Sequence, residues 1–143
     1  MTRQEKKALF EQVERSINVP SQPHGLEAAV LAEIMNFQDR DGRTLLMRST
    51  TKEQLEMSRT LIEMGADVNL QDKKGWSALH FAAQSYLPDH TLLLLEHGAD
   101  VHLQDVYGNT PYRALYLIRE AEERSSPFFC NMVRTLTRRT TME

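Results

Sequence analysis

One cysteine in the whole chain, Cys130, leaves no partner for an internal disulfide, which fits a reducing compartment. It follows Phe128 and Phe129 and so reads as a small buried hydrophobe and not as a reactive thiol. Long hydrophobic runs are missing too: nowhere do about 18 apolar residues follow one another, which excludes a membrane-spanning helix. The N-terminus, Met1-Thr2-Arg3-Gln4-Glu5-Lys6-Lys7, has no apolar segment behind it, so no secretion signal is expected and a cytoplasmic location is. Charge of one sign is scarce. A formal net charge of -3 over 143 residues gives no general attraction to nucleic acid or anionic membrane, and any basic surface must be local.

Catalytic signatures are also absent. There is no G-x-S-x-G, no Gly-rich phosphate loop followed by Lys and no H-E-x-x-H, and the adjacent Glu122 and Glu123 fall at a solvated helix end. The histidines are His24, His80, His90, His97 and His102. His97 and His102 flank one turn but lack a third ligand at suitable spacing, so neither metal nor cofactor is expected. A non-enzymatic protein is the expectation.

Glycine is sparse as well, yet its placement is periodic. Gly42, Gly75 and Gly108 recur every 33 residues, and Gly65 and Gly98 keep the same period. Around the first set one string occurs three times: Asn36-Phe37-Gln38-Asp39-Arg40-Asp41-Gly42, Asn69-Leu70-Gln71-Asp72-Lys73-Lys74-Gly75 and His102-Leu103-Gln104-Asp105-Val106-Tyr107-Gly108. In each, the glycine suits a tight turn and the aspartate can accept from turn amides. Thr44, Ser77 and Thr110 then stand as helix N-caps, with Pro111 fitting a first helical position. Gly65 and Gly98 suit left-handed helix ends.

This period and these words resemble the ankyrin repeat, a 33-residue unit of a turn and two helices carrying a T-P-L-H-x-A word. The best copy reads Gly75-Trp76-Ser77-Ala78-Leu79-His80-Phe81-Ala82-Ala83 and closes with Leu92 to Leu95 and Gly98-Ala99-Asp100-Val101. The copy before it has Leu45 and Met47 where the family has Pro and His, and the copy after it has Tyr112 and Arg113 in place of Leu and His. The resemblance implies an all-α solenoid of helix-turn-helix units with β-hairpin loops, about four units including two degenerate caps. The expected boundaries within a single domain of residues 1–143 are an N-terminal cap unit at 1–38, repeats at 39–71 and 72–104, and a C-terminal cap repeat at 105–143.

Helices of the first cap are expected over Gln4 to Ile17 and Leu26 to Ile34, with breakers between them. In the last unit they are expected from Pro111 to Glu123 and from Phe128 to about Leu136. The tail residues Arg134, Arg138 and Arg139 read as a frayed solvated end. One unit cannot cover its own apolar face, so such units must stack.

The resemblance also implies a function: binding a protein through the tips of the hairpins and the exposed side of each first helix. Transferred by position, it names Arg40, Asp41, Arg43, Thr51 and Lys52, then Lys73, Lys74, Trp76, Gln84 and Ser85, then Val106, Tyr107 and Asn109, with Met64 and His97 as fringe. Five cations against Asp41 imply an acidic patch on the partner. Trp76 and Tyr107 are expected as solvent-facing aromatic anchors. Short isolated ankyrin chains suggest a monomeric inhibitor, such as an immunity protein that neutralises a bacterial toxin, with an adaptor linking two larger proteins as the alternative.

Overall fold

A computed structural model describes residues 1–17 and 28–112 of the chain. The helices are α1 (Arg3–Ile17), α2 (Ala28–Ile34), α3 (Leu45–Thr51), α4 (Leu55–Glu63), α5 (Ala78–Gln84) and α6 (Pro88–Glu96), and there is no strand among the described residues. The linker at 18–27 and the expected C-terminal helices beyond Tyr112 lie outside the described residues.

The first helices of two units start, and their second helices stop, at residues with a local reason to be there. Thr44, extended at φ -94 and ψ 167, caps α3 by accepting from the Met47 amide at 3.3 Å. Ser77 takes the same extended conformation before α5. Its amide donates to His80 Nδ1 at 3.1 Å, which makes Nδ1 an acceptor and leaves the ring proton on Nε2. That proton points at the Asn109 carbonyl, 3.2 Å away in the following repeat. One side chain therefore caps its own helix and ties two repeats together. The second helices end at Gly65 (φ 96) and Gly98 (φ 86), where the chain turns left-handed and the amides of Ala66 and Ala99 return to the carbonyls of Leu61 and Leu94.

Helices pair within units, α1 with α2, α3 with α4 and α5 with α6, while α1, α3 and α5 stack as one layer and α4 rests on α6. The apolar residues between these layers form one continuous core that includes Phe10, Val13, Ile34, Leu46, Met47, Leu61, Leu79, Leu93 and Leu94. Burial of this kind contributes about 1.5–3 kcal/mol per large side chain, so the short helices hold only as a stack.

Two polar residues of α6, Thr91 and His90, are buried. Among the described residues the His90 Nε2 has no hydrogen-bond partner. Burial holds its pKa below the ordinary histidine value, against the opposing pull of Asp89 and Glu53. The neutral ring is then the folded form, and the unfolded chain binds the extra proton first. Stability from this site is complete above about pH 6.5 and falls as the pH drops below it. His90→Met, which places here the residue found at the matching position of the previous repeat (Met57), is expected to flatten the stability profile between pH 7 and 5. Denaturant melts at both pH values check this, and an unchanged slope would contradict it.

Candidate protein-binding surface

Each tip is a four-residue turn organised by an aspartate. Asp39 Oδ1 accepts from the amides of Asp41 at 2.8 Å and Arg43 at 2.9 Å, Asp72 repeats this with Lys74 and Trp76, and Asp105 with Tyr107 and Asn109. Burial pushes the Asp39 and Asp105 carboxyls up, yet the hydrogen bonds prevail and both rest below the ordinary carboxylate value. For Asp39 the main contributor is Arg48, and for Asp105 the Asn109 amide. These aspartates are committed to holding the turns.

The three tips are joined side by side. The Lys73 amide donates to the Asp41 carbonyl at 2.9 Å and the Val106 amide to the Lys74 carbonyl at 3.0 Å. Below them runs a glutamine ladder. Gln38 Nε2 donates to the carbonyls of Gly42 and Gln71, and Gln71 Nε2 to those of Gly75 and Gln104. The tips are thereby held as one row, presenting residues 40–41, 73–74 and 106–107 along one edge.

Within this row the named residues separate into two kinds. Arg40, Asp41, Lys73, Lys74, Val106 and Tyr107 are exposed, Tyr107 by 83%. Arg40, Lys73 and Lys74 meet no carboxylate among the described residues. Arg43 and Trp76, one period apart, point inward instead. The Arg43 guanidinium lies 5.4 Å from the Phe81 ring centre and 3.7 Å from Asp72 Oδ2. Trp76 packs edge-on against Phe81 at 5.1 Å, stacks on His80 and donates from Nε1 to Asp105 Oδ2 at 3.3 Å. The expectation of a solvent-facing Trp76 is corrected here: its ring is half-buried against the core, because the following aspartate and Phe81 offer it both a hydrogen bond and an apolar wall. Asn109, at the third such position, is exposed but bonds Asp105 with both its amides.

Thr51, Lys52, Gln84 and Ser85 are exposed at the far ends of α3 and α5. A helix of seven residues separates them from the tips by about 10 Å, so they form a second group and do not join the row. Just beyond them, Glu53 (φ 59) and Tyr86 (φ 55) adopt left-handed backbone without being glycine, a feature with no compositional signal.

Arg48 is a structural residue that motif reading passes over. It pairs with Glu14 of α1 at 3.3 Å and with Asp39, clamping the first tip to the preceding helix. Its position, where the other copies do not carry arginine, was the available signal. No group of three or more His, Cys, Asp or Glu among the described residues is placed to hold a metal, and no described helix is long and apolar enough to cross a membrane.

A family model of three ankyrin repeats matches residues 17–105, well over half of the chain. The chain belongs to the ankyrin-repeat family. No curated protein matches it. Ankyrin repeats generally mediate protein–protein interaction. The turn aspartates, the T-P-L-H histidine at His80 and the half-buried Trp76 build the ankyrin stack, whereas Arg40, Asp41, Lys73, Lys74, Val106 and Tyr107 are exposed.

Proposed function

We propose that this ankyrin protein is a non-catalytic binding module that captures one partner protein through its row of tips and occludes the surface it covers. The observation that carries this reading is the composition of the exposed row: Arg40, Lys73 and Lys74 pair with no carboxylate among the described residues, and Val106 and Tyr107 continue the same edge. Cations in a row favour an acidic patch on the partner and speed its approach, while a large exposed aromatic next to them supplies contact area. Neutralisation of a toxin, as by a bacterial immunity protein, is the form of occlusion we favour, in the cytoplasm and with the free protein monomeric. In the adaptor alternative, the exposed ends of α3 and α5 at Lys52, Gln84 and Ser85 would hold a second protein.

The pair Lys73→Glu and Lys74→Glu is expected to slow association with the partner about tenfold at low salt and to remove most of its salt dependence. The unfolding midpoint should stay within about 2 °C of the parent, because exposed charges contribute little to stability. Surface plasmon resonance across a salt series reads the rate. An association rate indifferent to both substitutions and to salt would rule out the acidic-patch reading. Co-expression separates the two forms: relief of a neighbour's toxicity indicates occlusion, whereas a ternary complex indicates an adaptor.

A further inference from the structure

The tips have almost no main chain left to offer a partner. Every amide from residue 41 to 43, from 73 to 76 and from 106 to 109 donates inside the row, to a turn aspartate or to the neighbouring tip. Only the Arg40 amide, at one end, donates to nothing among the described residues. A single amide cannot build a ladder, so an added strand would find nothing to pair with, and the turns keep no set of free amides to cradle an anion. Recognition on this row falls to side chains.

Those side chains change character along the row. The first tip shows Arg40 and Asp41, the second Lys73 and Lys74, and the third Val106 and Tyr107, all exposed. Each tip thus presents two neighbouring side chains, and the pairs run from mixed charge through double positive charge to apolar. Their spacing follows from the stack. The helices α1, α3 and α5 pack as one layer, packed helices lie about 8–10 Å apart, and the hydrogen bonds between tips hold the row at the same pitch.

We propose that the row receives one exposed α-helix of the partner protein, laid across the three tips. Its facing side chains are an apolar pair over Val106 and Tyr107, an acidic pair over Lys73 and Lys74, and one acid and one base over Arg40 and Asp41. The proposal rests on the reading of the chain as a binding module and names what the row binds. Seven residues of a helix advance about 10.5 Å and return to the same face, which matches the pitch of the tips. Residues three or four apart are neighbours on that face, so each tip meets two side chains at once. A strand shows one face at steps of about 6.8 Å and then about 13.6 Å, and misses the pitch. A polyproline helix returns after about 9.3 Å but with one side chain per turn, half of what each tip presents.

The probes are peptides held helical by staples on their outer face, titrated into the labelled full chain and followed by amide NMR. The matched peptide carries two leucines one turn apart, two glutamates seven residues further on, and a glutamate and a lysine seven residues beyond those. In the shifted peptide the central glutamates move by two residues, to the far side of the helix. A polyproline peptide carries the same side chains at every third residue. Shifts from the matched peptide are expected at Lys73, Lys74, Val106 and Tyr107, with affinity about fivefold above that of the other two. A spin label at its leucine end should broaden the Tyr107 amide and spare that of Arg40. With Lys73→Glu and Lys74→Glu together the matched peptide should lose binding, and a peptide with lysines in place of the central glutamates should regain it. Equal affinity of the matched and shifted peptides, tighter binding of the polyproline peptide, or no shifts at millimolar peptide would each overturn the proposal. A partner cross-linked from position 107 that engages the row through an irregular segment would also overturn it, while leaving the broader reading standing.

Discussion

Gly75→Ala should lose about 3 kcal/mol or more of folding stability, whereas Gly108→Ala should lose only about 1–2 kcal/mol. Both glycines are left-handed, at φ 79 and φ 80, so a side chain is strained at either position. They differ in what stands opposite. A Cβ on Gly75 would come within 2.7 Å of the Asp105 Cα, which is main chain of the next tip and has no rotamer through which to yield. Among the described residues nothing lies within 4 Å of the same position on Gly108. The difference between the two variants therefore isolates the close approach of stacked tips from the turn geometry they share. Urea unfolding of both variants measures it. Equal losses would mean that the tips are not packed main chain against main chain.

Trp76→Ala is expected to destabilise the protein by about 2–3 kcal/mol, somewhat below the range for a fully buried aromatic because the ring is half-exposed. The loss has two parts. Removing the ring strips an apolar wall from Phe81 and His80, and deleting Nε1 leaves Asp105 without one of its donors. Trp76→Phe keeps most of the first and loses the second, so it should recover more than half of the stability. Thermal unfolding of the pair checks both statements. A midpoint for Trp76→Ala equal to that of the parent would show that the indole is a solvent-facing anchor after all.

The period was the most legible feature of the chain. Gly42, Gly75 and Gly108 with their aspartates mark turns that the structure places side by side, and Thr44 and Ser77 stand at the N-caps of α3 and α5 as their positions suggest. Even the ladder of Gln38, Gln71 and Gln104 lay in the repeated string, although its purpose appears only when the repeats are stacked. Helix bounds of the first unit also followed from apolar spacing: Gln4 to Ile17 was expected and Arg3–Ile17 is found.

What could not be read was the direction of a side chain at a fixed period. Arg43 and Trp76 occupy the same place in successive units as residues that elsewhere face solvent, and nothing in either local sequence shows that Phe81 and the next aspartate lie within reach. The hydrogen bond from Trp76 to Asp105 and the pairing of Arg43 with Asp72 each cross 29 residues and depend on the stacking itself.

The central claim is that the exposed row of tips, and not the opposite helical face, contacts a partner protein. It is tested most directly by placing a photo-reactive amino acid at Tyr107 in one variant and at Thr60, on the exposed side of α4, in another, in cells that express the protein. The account predicts one discrete cross-linked partner from position 107, lost when Lys73 and Lys74 are changed to glutamate, and none from position 60. A partner captured from position 60 alone, or equally from both and indifferent to the two lysines, would contradict it.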